Sequence, residues 1–364
     1  MHPSQIIILV TPVFFALIAL EYGVGLRRGR NTYRLHDALA SISLGMLSQM
    51  INVAAKGLLL GLYVEVYEHA ATTDLPETSL WAWVVALILY DFCYYWQHRL
   101  GHTVALLWAA HGVHHQSEDY NLSTALRQTG SDWLASWLFY LPMALLGFPP
   151  LVFVVVGLID LLYQYWVHTQ QIGKLGWFDR WFCSPSNHRV HHAINERYVD
   201  RNYGGILVLW DRLFGSFQEE LDDEPCVYGT RAPLRSWNPV WANLQIYAAL
   251  WAKAGTLPGW GDKLRVWLKP PGWLPGNVAK PVFDHLAQQC FDPPMSEARK
   301  RLALLAFVLT LGLTGACLWF AHLMNFPEQI GAVAAVALGL SVVAWICTPT
   351  GQARSEIEAG SLLR

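Results

Sequence analysis

Charge is scarce in this sequence. Of 364 residues, 25 are Lys or Arg and 27 are Asp or Glu, together 14%, where a soluble domain carries about 25%. The hydrophobic fraction is 54% and the mean hydropathy is +0.26. These figures exclude a disordered chain and argue against an ordinary water-soluble enzyme. They point to an integral membrane protein. A net charge of −2 leaves no basic field, which sets nucleic acid aside as a partner. The six cysteines (Cys93, Cys183, Cys226, Cys290, Cys317 and Cys347) show no C-x-x-C spacing. Neither a disulfide framework nor a thiolate zinc site is therefore indicated. No H-E-x-x-H motif occurs, so the glutamate base that a membrane zinc hydrolase would need is missing. Internal repeats and low-complexity tracts are also lacking.

What is present in quantity is apolar sequence. Residues Gln5 to Leu26 are almost wholly apolar, with Pro12 and Glu21 the exceptions, and Arg27, Arg28, Arg30 and Arg34 follow at once. A signal peptide carries its basic residues before the apolar run. Here they come after it, so the run reads as a first span ending in the cytoplasm. A second span is expected over 38–66. A third starts near Ser79 and runs through the interface aromatics Tyr94, Tyr95 and Trp96 to His98. Trp133 to Leu146 and Leu151 to Val167 are short for full spans. They read as a hairpin that enters the bilayer and returns His168 to the side of His98. Residues 169–300 read as a cap on the cytoplasmic face. Spans are expected at 302–323 and 330–347, joined by a short loop from Asn325 to Gln329 and followed by a tail carrying Arg354 and Arg364. The expected fold is all-α: a polytopic helical bundle with a cytoplasmic, histidine-rich di-metal cap. Its parts would be N-terminal spans over 1–66, a catalytic region over 67–280, and C-terminal spans and tail over 281–364. The host membrane would be a bacterial inner membrane or the endoplasmic reticulum.

Histidine is the second abundance. Nine of the 14 histidines fall between His98 and His192, where an even spread would put about four. They form the pair His98 and His102, the trio His111, His114 and His115, the trio His188, His191 and His192, and the single His168. On a helix, positions i, i+3 and i+4 share a face. An H-x-x-x-H pair can thus aim two imidazoles at one point. An H-x-x-H-H trio aims its first and third histidines at one point and offers the middle one to a neighbouring point. Nine imidazoles exceed the needs of one zinc ion, which takes four ligands or three plus water. They suit two metals. Imidazole serves zinc, copper, iron and nickel; a second metal beside a lipid points to redox chemistry and so to iron. The remaining histidines (His2, His36, His69, His285 and His322) read as ordinary interface residues. A metal transporter would hold its site near the bilayer midplane, whereas these clusters lie at one face.

Groups that orient the imidazoles are expected beside them. Asp91 precedes His98 by two helical turns, and Asp160 and Gln164 stand in line with His168. Asn187 and Asn195 flank the last cluster, where each also suits a local cap or turn. Tyr120, Asn121 and Arg127 lie in a polar segment just after the second cluster and are candidates for lipid head-group or electron-donor binding. The stretch Ile206 to Phe217 is amphipathic and would pack the cap on the membrane.

The three histidine motifs resemble those of the fatty acid hydroxylase/sterol desaturase superfamily of membrane di-iron oxygenases. Ser117–Gln128, Tyr163–Thr169, Ser184–Gly205, Leu209–Gly215, Val227–Gly229 and Pro271–Trp273 are similar to its ether-lipid-cleaving alkylglycerol monooxygenase branch. The likeness covers roughly residues 30–280. It implies two iron ions, O2, a membrane lipid substrate and an external electron donor, which in that branch is a tetrahydrobiopterin. It implies oxygen insertion beside an ether oxygen, giving an aldehyde and a glycerol. On a sterol or fatty acid the same centre would hydroxylate or desaturate. One position departs. The ether-lipid branch has a glutamate directly after H-x-x-x-H, and this chain has Thr103. The departure bears on the pterin and the substrate, not on the histidines.

Overall fold

The computed structural model describes residues 2–276 and 283–348. The tail with Arg354 and Arg364 lies outside the described residues. Among the described residues the structure is helical and has no strand, only two isolated bridges, Phe182 with Leu207 and Ala193 with Tyr228.

The first apolar run forms α1 (Pro3–Arg27), started by a proline whose missing N–H costs nothing at a helix N-terminus. It is followed by α2 (Leu35–Ala70), α3 (Leu80–Thr103) and α4 (Ala105–His115). After the one-turn α5 (Leu122–Ala125), the predicted arm Trp133–Leu146 is not one helix. It breaks into two 3-10 turns, Asp132–Leu134 and Ser136–Tyr140, and α6 (Leu141–Leu145). Pro142 sits in the first turn of α6, because its ring would clash with a carbonyl four residues back in a continuing helix. The second arm is the expected helix, α7 (Pro150–Trp166). Between the arms Gly147 has φ +85°, and a Cβ there would lie 1.9 Å from the Thr73 carbonyl oxygen, so only glycine makes this turn.

The cap contains α8 (Pro185–His192), the single turn α9 (Leu209–Leu213), α10 (Pro239–Thr256) and α11 (Trp260–Leu268). The amphipathic stretch Ile206–Phe217 is thus mostly loop. The chain ends in α12 (Glu297–Phe320) and α13 (Phe326–Cys347). The expected loop Asn325–Gln329 is instead the first turn of α13. Asn325 accepts from the Glu328 N–H at 3.0 Å and Glu328 returns the bond at 2.8 Å, a capping box that starts the helix early.

Among the described residues, four helical stretches are long and apolar enough to cross a membrane: Ser4–Arg27, Leu35–Ala55, Glu297–Leu323 and Phe326–Cys347. Helix α3, the predicted third span, falls outside that set because its second half turns polar to deliver Asp91, Gln97, His98 and His102. One core joins α2, α12 and α13 through Met46, Leu47, Phe307, Val336 and Leu340. A second joins α3, α6 and α7 through Ala86, Cys93, Met143, Val152 and Val156. Leu9, Val13 and Leu20 on α1 and Leu305, Val308 and Leu309 on α12 are exposed, the outward apolar surface of a lipid-embedded protein.

Candidate metal centre

Four chain segments converge on one place. The last turns of α3 bring His98 and His102, α4 brings His111, His114 and His115, the chain two residues beyond α7 brings His168, and α8 brings His188, His191 and His192. Helix α8 starts there because Ser184 caps it, accepting from the Asn187 N–H at 3.3 Å, with Pro185 in its first position.

The nine histidines fall into two groups. His98, His102, His111, His115 and His191 make one; His114, His168, His188 and His192 make the other. Each residue offers one ring nitrogen, and within a group these nitrogens lie within 4.8 Å of one another. Each H-x-x-H-H trio is divided as helical geometry requires. His111 and His115 face the first group while the middle His114 faces the second; His188 and His192 face the second while the middle His191 faces the first. Among the described residues, none of His2, His36, His69, His285 and His322 joins either group.

The hydrogen bonds set the chemistry of these rings. The Nδ1 atoms of His98, His114, His168 and His191 face the backbone carbonyls of Tyr203, Arg127, Gln164 and Arg201 at 2.8, 2.8, 2.8 and 2.9 Å. A carbonyl only accepts, so each Nδ1 carries a proton, and in the neutral ring Nε2 is a bare lone pair. Yet His114 Nε2 and His168 Nε2 are 3.1 Å apart, and His168 Nε2 is also 3.1 Å from His188 Nε2. In the other group His98 Nε2 and His111 Nε2 are 3.0 Å apart. For His114 and His168 both facing Nε2 atoms are bare, and two lone pairs this close repel unless a cation lies between them. His102 Nε2 is buried with no partner. Burial and the neighbouring imidazoles hold His111, His115, His188, His191 and His192 well below the usual histidine pKa, and burial brings His114 to about 4. These six rings are thus neutral at pH 7, the form that ligates a metal. The residues present fit two metal ions. Neither group contains a carboxylate; the acid nearest by contact is Asp200, 3.5 Å from His102 Nδ1.

The other sequence-predicted residues have different tasks. Asp91 bonds no histidine. It accepts from the Ile206 and Leu207 N–H groups at 2.6 and 3.1 Å and from Trp210 Nε1 at 2.8 Å, and so anchors the loop before α9. Asp160 accepts from Gln164 Nε2 at 2.5 Å, and it is the Gln164 backbone, not its side chain, that meets His168. Asn187 donates to the carbonyls of Asp179 and Phe182, and Asn195 to that of Pro225. Both are local ties rather than histidine partners. Tyr120 packs its ring on His168 and His192, with centroids 5.6 and 5.2 Å apart, and donates to the Val167 carbonyl. Asn121 caps α5, accepting from the Ser123 N–H, and reaches the Thr32 carbonyl. Arg127 is wholly buried, donating to the Val113 carbonyl and Ser41. None of these three lines the cavity that adjoins the histidines.

Sequence reasoning missed three features. The loop Asp200–Gly204 supplies two of the histidine-orienting carbonyls, with Asp200 and Asn202 at φ +58° and +54°. Arg189, inside the last motif, makes a two-pronged ion pair with Glu220, both bonds at 2.7 Å. A cavity of about 180 Å3 opens beside His98 and His111, lined by Gln97, Asp132, Tyr247 and apolar residues of α4 and the 3-10 turns. Backbone acceptors and cavity walls leave no spacing pattern in a sequence.

The architecture defines a protein of long apolar, membrane-type helices that gathers nine histidines into two groups able to hold metal. Comparison with known proteins gives the family. The fatty acid hydroxylase family model matches residues 83–216. The chain is 36% identical to the alkylglycerol monooxygenase of Homo sapiens over 339 residues, 93% of this chain and 74% of that protein. It is 36% identical to the alkylglycerol monooxygenase of Danio rerio over 346 residues, 92% of this chain and 76% of that one. It is 31% identical to the ornithine lipid hydroxylase OlsE of Rhizobium tropici over 135 residues, 37% of this chain and 41% of that one. No solved structure matches significantly. The chain belongs to the fatty acid hydroxylase family, alongside its alkylglycerol monooxygenases. It is accordingly an oxidoreductase, a lipid-chain monooxygenase of the membrane.

Proposed function

We propose that each histidine group holds one iron ion and that the chain oxidises the alkyl chain of an ether lipid at the carbon beside the ether oxygen. The observation that carries this reading is the pair of groups, five and four converging imidazole nitrogens, in a chain similar to alkylglycerol monooxygenases over most of its length. Two irons, when bound, supply the activation of O2. One oxygen atom enters the C–H bond and the other leaves as water, taking two electrons and two protons from an external donor. The resulting hemiacetal falls apart to an aldehyde and a glycerol.

The chain's own residues do the rest. The carbonyls of Tyr203, Arg127, Gln164 and Arg201 fix four rings and keep their Nε2 atoms unprotonated. Tyr120 walls the four-histidine group from solvent, being fully buried itself. Thr103 turns its hydroxyl back to the Arg99 carbonyl at 3.0 Å, so no carboxylate stands at that place. Tetrahydrobiopterin is the first donor to test. The basic clusters support a cytoplasmic cap. Arg34 bonds Asp119, in the segment just after the second histidine cluster, at 2.8 Å, and Arg299 at the start of α12 bonds the Thr348 carbonyl beyond α13 at 2.7 Å.

Metal analysis of detergent-purified protein tests the reading, with His114→Ala and His191→Ala in parallel. The expected result is about two irons per chain, about one lost in each variant, and oxygen uptake with an alkylglycerol that both variants abolish. One zinc per chain, carrying hydrolase activity and untouched by either change, would overturn it.

A further inference from the structure

The cavity of about 180 Å3 meets only two of the nine histidines, His98 and His111, and both belong to the five-histidine group. Its wall carries one carboxylate, Asp132, and no Lys or Arg. Asp132 is an exposed residue that lines the cavity mouth. Its Oδ1 accepts from Gln97 Nε2 at 3.2 Å, and Gln97 Oε1 accepts from the Tyr140 hydroxyl at 2.6 Å. The carboxylate only accepts, so it fixes the Gln97 amide with its NH2 toward Asp132, and the tyrosine hydroxyl then donates to the amide oxygen. Nearby, the Tyr247 hydroxyl donates to Ser131 Oγ at 3.0 Å. Leu106, Leu107 and Phe139 supply an apolar wall. Gln97 directly precedes His98 on α3, so this polar spot is held in fixed register with the five-histidine group.

We propose that this cavity seats the head and first chain carbons of the lipid, and that Asp132, aimed by Gln97, selects an uncharged hydroxyl-bearing head over an anionic one. The proposal rests on the lipid-oxygenase reading above and adds the head-group class. A hydroxyl donates to a carboxylate in a charge-assisted hydrogen bond, about twice as strong as a neutral one. A phosphate or carboxylate head would set a second negative charge against Asp132 beside apolar walls, with no cation lining the cavity to offset it. The methylenes next to the head lie against the leucines and Phe139. The size of the cavity limits it to the head and the nearest carbons, which places the carbon to be oxidised close to His98 and His111.

The test is competition binding to the full-length, iron-loaded protein in detergent. A fluorescent 1-O-alkylglycerol is displaced by unlabelled 1-O-hexadecylglycerol or by its 3-phosphate, which share one chain and one ether bond. The wild type should need at least tenfold more of the phosphate. Asp132→Asn should narrow that gap to threefold or less with iron content unchanged, and Asp132→Lys should reverse the order. Equal displacement by the two lipids, or a gap that survives in Asp132→Asn, overturns the proposal. Oxygen uptake separates the two readings. A binding gap that depends on Asp132, without oxidation of the ether lipid, supports the head-group preference and sinks the ether-lipid reaction. Oxidation of both lipids at equal kcat/KM, unchanged in Asp132→Asn, sinks the preference and leaves the reaction standing.

Discussion

Asp211 touches no histidine, yet one of the metal groups depends on it. Its two oxygens accept from the Tyr203 and Gly204 N–H groups at 2.8 Å each, and Ser216 donates to it at 2.7 Å. Burial raises its carboxyl above the usual range, and these three donors work against that rise. The Tyr203 peptide so fixed presents the carbonyl that receives His98 Nδ1. Gly204 must be glycine, since a Cβ would lie 2.4 Å from the Leu207 carbonyl oxygen. Asp211→Asn turns an acceptor into a half-donor facing two N–H groups. It should lower metal affinity and activity by roughly tenfold to a hundredfold, the usual cost of losing an outer hydrogen bond to a ligand. Iron content against free iron and oxygen uptake measure both, and a variant with wild-type values for both would show that His98 is oriented without it. Asp211 sits in sequence that resembles the family, but its role was not legible there. The group that orients His98 is a backbone carbonyl, and any residue has one.

At the scale of elements, α8 is the weak piece that everything else holds. It has eight residues, all buried, and a helix this short is not stable alone. Ser184 caps it, and Arg189 clamps it. The guanidinium grips Glu220 with two bonds and sends Nη1 to the Thr169 and Ile172 carbonyls at 2.9 and 2.8 Å, tying α8 to the chain just after α7. Glu220→Ala leaves this arginine unpaired in a mostly buried site, which costs on the order of 3 kcal/mol. Because α8 feeds both groups, the variant should show a lower thermal midpoint and should lose iron from both. Loss of midpoint with full iron retention would mean that the clamp serves stability alone. The helical period of the three motifs was legible in the sequence, and it correctly divides each trio between two points. The break of Trp133–Leu146 into short turns was not. Its apolar pattern suits a helix throughout, and the interruption comes from Pro142 together with the polar pair Asp132 and Gln97 at the cavity.

For the whole molecule, the apolar helices and the cap have to share one orientation in the bilayer. The sequence placed a charged residue, Glu21, within an otherwise apolar first span, and the structure shows its use. Glu21 accepts from the Leu122 N–H at 2.8 Å and from the hydroxyls of Tyr33 and Thr169, so a helix almost bare of packing is pinned to the cap by one carboxylate. Pinning α1 there fixes Arg27, Arg28, Arg30 and Arg34 at the level of the cap, which by the positive-inside rule would be the cytoplasmic side. The cysteines offer a direct reading of that orientation. Cys290, in the cap, is exposed; Cys226 is half-buried and the other four are buried. In a bacterial host, a membrane-impermeant maleimide should label the protein in inside-out vesicles and leave it unlabelled in right-side-out ones, with Cys290→Ser removing most of the signal. Labelling from the outer side would reverse the cap. The electron donor would then have to be extracytoplasmic, and a cytosolic pterin would be excluded on geometry, whatever the lipid proves to be.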